Sequence, residues 1–468
     1  MTAADMAPAA AAAKQGRSRR LVLGACLLSC LLLGGATQRG LLVDALLQVA
    51  VVAGSTYALL GARLTSAARW GLLLGGLVLL AGALQLLPLP VSVLELVRPA
   101  DLLPFTGAAP SPPVASAPIS LGAARTLETV IFALVPILFF VAATSLPREN
   151  LSGLLPFFII GLVCNLIAAG LQYSFSGEAT LGDLLGYSVM VGMFANVNHF
   201  ATLVFSSIPL IVYFGFFHGR PAIATVLLVL IFLLLLAAGS RAGILLGLGV
   251  AAISVGALIW RGRLGTLVML VLLASFVVYG YGALIQIGAQ QLDPDFGRRE
   301  FAVTTWRAIL DNWRLGTGFG TFDLVYPFYE SREMVHVAYV NHAHNDILEL
   351  LLEGGVAAGV ILCVYLGALA LRAFRVVKRP LQRLALLAIL VILLHALVDY
   401  SLRTMAIAMA FAFVNALFFA DVGLKPEGAA HVPGGRDKRE EILPPPPQAA
   451  AAPQEGPSAT ARLAPYAP

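Results

Sequence analysis

Apolar segments of about 17 to 25 residues recur along most of this chain, and each is long enough to cross the hydrocarbon core of a bilayer. Of the 468 residues, 59% are hydrophobic and only 12% are charged. One soluble core cannot bury that much apolar surface, so a soluble globular protein is excluded. The sequence therefore predicts an all-α polytopic membrane protein.

The apolar segments predict about twelve transmembrane helices separated by short loops. We place them at residues 20–36, 41–62, 69–88, 124–145, 151–172, 192–217, 221–239, 241–260, 264–285, 354–373, 382–398 and 403–421. This divides the chain into a cytoplasmic N-terminal tail (1–19), helices one to nine (20–285), a large helical outer loop (286–353), helices ten to twelve (354–421) and a low-complexity, disordered cytoplasmic tail (422–468).

The basic residues occur in short runs between the apolar segments. With the N-terminus inside, the predicted cytoplasmic segments hold 20 of the 30 lysines and arginines, as the positive-inside rule requires. The net charge of +5 is thus a topology signal and does not indicate nucleic acid. The four cysteines lie in apolar segments without the paired spacing of metal or disulfide sites. The absence of matching interrupted halves argues against an inverted-repeat transporter.

The outer loop contains a polar stripe at helical spacing. If the segment from 342 to 353 is helical, His342, Asn345 or Asp346, Glu349 and Glu353 share one face of the helix. That face either lines a cavity or belongs to a solvated amphipathic helix on the membrane surface. A zinc site at His342 and His344 lacks further His or Cys ligands in the loop, so we predict no metal.

Arg241 follows Ser240 between two apolar segments, on the predicted outer side, where the positive-inside rule does not favour arginine. It is either an ordinary turn residue or a ligand for an anion. An arginine close to hydrocarbon costs free energy unless it meets an anion, and guanidinium suits phosphate.

Two more polar groups lie at predicted outer helix ends. Asp399 and Arg403 are spaced to neutralise each other at i, i+4, or Asp399 could serve in catalysis. Asn198 and His199 could hydrogen-bond a sugar or cap their helix.

The outer loop also carries Arg298, Arg299 and Arg307 ahead of a glycine-rich stretch, Gly316 to Gly320. No predicted strand precedes these glycines, which weakens a dinucleotide-loop interpretation. A turn between two loop helices is the better interpretation.

Together, seven segments resemble the O-antigen ligase and O-antigen polymerase family, over roughly residues 80 to 420. They are Ala343-His344-Asn345-Asp346 with Leu348-Glu349, Glu353-Gly354-Gly355, Gly316-x-Gly318-x-Gly320-x-Phe322, Ser240-Arg241-x-Gly243, Leu397-Val398-Asp399-Tyr400, Gln85-Leu86-Leu87-Pro88-Leu89-Pro90 and Asn196-x-Asn198-His199-Phe200-Ala201. The last two are similar to an exopolysaccharide branch of the family.

This resemblance implies a metal-independent glycosyltransferase of GT-C-like architecture, without a cofactor, in the bacterial inner membrane. Its donor would be a glycan on undecaprenyl diphosphate, its acceptor a glycan or lipid, and its site would face the periplasm. The resemblance further implies that Arg241 contacts the diphosphate, that His344 is the essential histidine and that Asp399 is an acidic site residue.

The substrate-binding residues expected around these three come partly from the resemblance and partly from the polar segments above. They are Arg307, Arg299, His342, Asn345, Glu349, Arg403, Asn198 and His199. The expected partners are membrane lipid and other polysaccharide-assembly proteins, with no nucleic acid.

The motifs are shared by polymerases and ligases, and the exopolysaccharide branch favours a polymerase. A ligase that uses lipid A-core or a protein as acceptor is the alternative. A membrane transporter and a non-catalytic scaffold are alternatives of other classes.

Overall fold

Long apolar helices form nearly all of the fold. The computed structural model describes residues 3–99, 102, 115–175, 185–189, 191–259, 297–331, 339–375 and 379–420. Among these residues, seven helices are long and apolar enough to cross a membrane, and three shorter apolar helices accompany them. The predicted all-α polytopic membrane fold is confirmed.

The helices of the bundle follow the predicted spans closely, except that two of them, the first and the one that leaves the outer loop, begin well before the predicted start. They are Ala3–Leu33 (α1), Leu42–Leu59 (α2), Ser66–Gln85 (α3), Ala123–Thr144 (α5), Leu155–Phe175 (α7), Val197–Phe217 (α8), Pro221–Ala238 (α9), Arg241–Ile259 (α10), Asp346–Arg375 (α13), Pro380–His395 (α14) and Met405–Phe419 (α15). The predicted span at 264–285 and the tail at 422–468 lie outside the described residues.

Short elements connect the helices of the bundle. They are a helical turn Val91–Leu94 (α4), the helix Arg148–Ser152 (α6), the loop helices Arg298–Asn312 (α11) and Phe322–Tyr329 (α12), and a 3-10 turn Ser401–Arg403. Strands Pro88–Pro90 (β1) and Ser116–Pro118 (β2) pair antiparallel, with Leu89 opposite Ala117. The sequence did not predict these strands, because three-residue, Pro-containing segments carry no alternating pattern.

Helix α8 lies at the centre of the bundle. It packs against α9, α10 and α14, and nearly all of its side chains are buried, from His199 in the first turn onward. A helix that is apolar on every side and buried on every side is a core helix. Its first turn therefore carries polar groups to an interior position at one end of the bundle.

Helix α13 joins the outer loop to the bundle and changes direction at Gly355. The backbone there has φ 56° and ψ −147°, a region that is essentially restricted to glycine. The predicted boundary between loop and span, at residue 353, thus falls at a kink within one helix. The helix begins at Asp346, so the expectation that residue 342 is already helical is wrong.

Candidate active site

Polar residues from distant segments meet at one end of the bundle. His199 in the first turn of α8 hydrogen-bonds through Nδ1 with Thr404 Oγ1, 2.6 Å away. His395 at the end of α14 likewise uses Nδ1 with Thr202 Oγ1, at 2.9 Å. Both imidazoles are fully buried. The opposite ends of α13 and α14 carry the predicted cytoplasmic arginines: Arg372, Arg375, Arg379 and Arg383.

Asp399 lies at the centre of this polar end, with its side chain completely buried. Its Oδ1 is 3.8 Å from His199 Nε2 and 3.7 Å from His344 Nδ1. Its Oδ2 is 3.6 Å from Arg298 Nη2. Burial alone would raise the pKa of Asp399, but the imidazoles of His199 and His344 outweigh burial and hold that pKa well below its usual range. Asp399 is therefore a carboxylate surrounded by nitrogen groups.

His344 has an unusual backbone conformation. It is the one non-glycine residue with positive φ in the described part of the chain, at 49°. A left-handed conformation at a non-glycine residue costs about 1–3 kcal/mol and persists only where neighbours enforce it. The ring stacks on Phe301 and meets Tyr400 edge-on, at centroid distances of 5.9 and 5.0 Å. With a side chain 25% exposed, His344 can reach a substrate while one ring nitrogen faces Asp399.

Three buried carboxylates on the first turns of α13 converge on Arg403. Arg403 Nη2 is 2.9 Å from Glu353 Oε2, while Nε is 3.2 Å from Glu349 Oε1 and 3.6 Å from Asp346 Oδ1. Burial would lower the pKa of Arg403, but these carboxylates outweigh burial and raise it. The alternative that Asp399 and Arg403 neutralise each other is wrong, because a 3-10 turn replaces the α-helix that i, i+4 pairing requires.

His342 belongs to the same buried network. Its Nδ1 is 2.9 Å from Glu349 Oε1, and its ring stacks on Tyr400 with centroids 4.0 Å apart. The other Glu349 oxygen accepts a hydrogen bond of 3.0 Å from the backbone N–H of Ala343. The polar stripe therefore faces the protein interior, and the alternative of a solvated surface helix is wrong.

Asn345 caps α13. Its Oδ1 accepts hydrogen bonds from the backbone N–H groups of Ile347 and Leu348, at 3.0 and 2.9 Å. Its Nδ2 donates to the carbonyl oxygen of Leu397 at 2.8 Å. The side chain thus ends the loop, starts the helix and ties it to the segment that carries Asp399. Substrate binding by Asn345 stays a prediction.

The glycine-rich stretch is the predicted turn between two loop helices, and it supports the kink in α13. The kink at Gly355 frees the carbonyl groups of Leu352 and Glu353 from their helical partners. The backbone N–H groups of Thr317 and Gly318 donate to these two carbonyls, each at 3.0 Å. A buried kink needs such replacement partners, because unpaired backbone groups away from water are costly.

Gln85 at the end of α3 joins this junction. Its Nε2 donates to the Glu353 carbonyl oxygen at 2.8 Å, and its Oε1 accepts from the N–H of Phe319 at 3.0 Å. Sequence reasoning named Gln85 only as part of a motif. The structure shows that its amide holds the glycine turn against the kink.

Ser240 places the start of α10 beside the first turn of α8. Its Oγ donates to Asn198 Oδ1 at 2.8 Å and accepts from the N–H of Gly243. Arg241 is the first residue of α10, and the position of its side chain lies outside what the structure describes. Contact between Arg241 and a diphosphate stays a prediction, as does sugar binding by Asn198 and His199.

The three loop arginines point in different directions. Arg298 lies against Asp399, whereas the side chains of Arg299 and Arg307 are exposed. Nine residues place Arg307 about 180° around the helix from Arg298. The sequence predicts Arg299 and Arg307 as substrate-binding residues and leaves out Arg298, because it does not show where α11 begins and therefore which arginine faces the site.

Tyr400 and His395 also lie at the site, although neither is among the site residues expected from the sequence. Tyr400 contacts His342, His344 and His199, and His395 lies beside Thr202. Their positions directly after Asp399 and one helical turn before it were the sequence signal that could have identified them.

Among the described residues, no group of three or more His, Cys, Asp or Glu side chains is arranged to hold a metal ion.

The fold and this site define a class: an α-helical multi-pass membrane protein with a polar, partly open site at one end of its bundle. The family model described as O-antigen ligase matches residues 226–363. This match confirms the resemblance to the O-antigen ligase and polymerase family and indicates a glycosyltransferase-like enzyme of membrane glycan assembly. The matched segment contains Arg241 and His344 but covers less than a third of the chain. No curated protein matches the sequence.

Proposed function

We propose that this protein is a membrane glycosyltransferase of surface polysaccharide assembly that uses a glycan on undecaprenyl diphosphate as donor. The observation that carries the proposal is the position of Asp399 between His344 and Arg298. A partly exposed imidazole beside a carboxylate suits proton transfer, and an arginine suits a phosphate leaving group.

In the proposed reaction, the acceptor hydroxyl attacks the anomeric carbon of the donor sugar. The new bond joins the acceptor oxygen to that carbon, and the bond from the carbon to the diphosphate oxygen breaks. The hydroxyl proton passes to Nε2 of His344, whose Nδ1 faces Asp399. The electron pair leaves with the diphosphate, and Arg298 and Arg241 stabilise its charge. Attack opposite the leaving group inverts the anomeric configuration without a metal ion.

The proposed location is the periplasmic face of the bacterial inner membrane. Support comes from the direction of α13 and α14, which connect the candidate site to the arginines at 372–383. Such arginines mark the cytoplasmic ends of spans. A lipid-linked glycan would reach the site from the opposite leaflet.

Between the two acceptor classes, we propose polymerisation, in which another lipid-linked repeat is the acceptor. The motifs at residues 85–90 and 196–201 support this choice, because they are similar to the exopolysaccharide branch. Deletion of the gene should then leave surface polymer that consists of single repeats. Accumulation of long lipid-linked chains would instead indicate a ligase.

The direct test mixes purified protein with lipid-linked repeat units extracted from the cells that produce this protein. The length of the glycan chains is then analysed by gel. Wild-type protein should lengthen the glycan. His344→Ala should lower the rate by about 10²–10⁴-fold, the usual contribution of general acid–base catalysis. Exposed Arg314 offers a matched control, and Arg314→Ala should react at the wild-type rate. Wild-type turnover by His344→Ala, or no transfer by wild-type protein, would refute the proposal.

A further inference from the structure

We propose that Glu349 is a positioning residue for His344: its carboxylate fixes residues 342 and 343 and so holds His344 in the left-handed conformation that faces Asp399. This inference rests on the proposed function. It assigns Glu349 a role other than the substrate binding expected from the sequence.

Glu349 uses both carboxylate oxygens on the two residues before His344. Oε1 is 2.9 Å from His342 Nδ1, and Oε2 accepts from the N–H of Ala343 at 3.0 Å. Glu349 is fully buried, so water does not compete for these oxygens. The Ala343 contact fixes the peptide one residue ahead of the strained backbone, where a small rotation would move the His344 ring.

A second path runs through the aromatic rings. Glu349 orients His342, His342 stacks on Tyr400, and Tyr400 meets His344 edge-on. The face of Tyr400 is thereby covered, and its edge geometry limits the rotation of the His344 ring. The backbone path and the ring path lead to the same imidazole.

Arg403 keeps Glu349 in place, since its Nε lies 3.2 Å from Glu349 Oε1. The same arginine binds Glu353, which is equally buried. Glu353, however, accepts from the N–H of Phe322 at 3.2 Å and makes no described contact with residues 342 or 343. Glu353→Gln is therefore a matched control: it removes the same charge from the same arginine and leaves the segment before His344 untouched.

The experiment compares Glu349→Gln and Glu353→Gln in the full-length purified protein, with extracted lipid-linked repeat units as substrate. The midpoint temperature of thermal unfolding should fall by similar amounts in the two variants. Glu349→Gln should lower kcat by about tenfold to a hundredfold relative to Glu353→Gln, the scale expected when a catalytic group is displaced by about 1 Å. The donor KM should stay within about twofold, since a positioning residue does not bind the donor.

A double-mutant cycle separates positioning from general stability. Asp399→Asn removes the group that His344 must face, so adding Glu349→Gln should cause no further loss in kcat. Adding Glu349→Gln to Arg314→Ala should instead cause the full tenfold to hundredfold loss, as independent sites do. A multiplicative loss for Glu349→Gln added to Asp399→Asn, a raised donor KM, or a kcat loss no greater than that of Glu353→Gln would overturn the inference.

His342→Gln replaces Glu349→Gln if the latter does not fold. It removes one of the two Glu349 contacts while Arg403 remains paired. A lower kcat with unchanged donor KM supports the inference, and wild-type kcat or a raised KM overturns it. An inactive wild-type protein would refute the proposed function itself, which is a different result from an active wild type with an unaffected Glu349→Gln.

Discussion

Arg403→Met should be among the most damaging single substitutions in the described part of the molecule. The guanidinium lies 2.9 Å from Glu353 and 3.2 Å from Glu349, with Asp346 at 3.6 Å. Its side chain is only 20% exposed, so solvent screens these contacts weakly. Removing one partner of a buried ion pair costs about 3–5 kcal/mol, because the other charge is left without compensation. Here three carboxylates would lose their shared cation, so we expect the upper part of that range.

The assay is equilibrium unfolding of purified protein in mixed micelles as the fraction of denaturing detergent is raised. Arg299→Met serves as the control, since Arg299 is exposed and surface substitutions usually change stability by no more than about 0.5 kcal/mol. If the free energy of unfolding of Arg403→Met lies within about 1 kcal/mol of the wild-type value, the three carboxylates do not depend on Arg403 for compensation of their charge.

Two further predictions use the same unfolding measurement. Gly355→Ala should lower the free energy of unfolding by more than about 2 kcal/mol, because the backbone there is restricted to glycine and a Cβ would lie 2.6 Å from the Gly316 nitrogen. Gly367→Ala is the control: a Cβ at Gly367 meets nothing within 4 Å, so this substitution should be neutral or stabilising. The depressed pKa of Asp399 means that its ionised form stabilises the fold at every pH above about 4, the unfolded pKa, and that this stability is lost as the pH falls toward the depressed value. The difference in unfolding free energy between wild type and Asp399→Asn should therefore stay constant above about pH 5 and narrow progressively as the pH falls below that value. A difference that is already lost at about pH 5 contradicts the assignment.

The helices could be predicted from the sequence because each depends on local information. An apolar segment of the right length predicts a span wherever its partners lie, and the arginines at 372–383 indicate which end faces the cytoplasm. The bounds of the described helices follow the predicted spans within a few residues, apart from the ends of α1 and α13. Helix α13 departs because the polar stripe and the apolar span form one kinked helix.

The arrangement of the site could not be predicted in the same way, because its contacts join residues far apart in the chain. Arg403 is 50 residues from Glu353, and no local spacing rule links them. The local rule instead favours Asp399 as the partner of Arg403, and that expectation is wrong. Likewise, which of the loop arginines faces Asp399 depends on the rotation of α11, and one residue changes that rotation by about 100°.

Several motifs that supported the family resemblance have a physical role away from the reacting groups. The glycine turn at 316–320, Gln85 and the glycines at 354–355 meet at the kink of α13. This junction satisfies the freed carbonyls and so fixes the direction of the first two turns of the helix. Those turns carry Glu349 and the other carboxylates that hold Arg403, and Glu349 in turn holds the segment before His344. Damage to the junction should therefore reach the imidazole through the backbone.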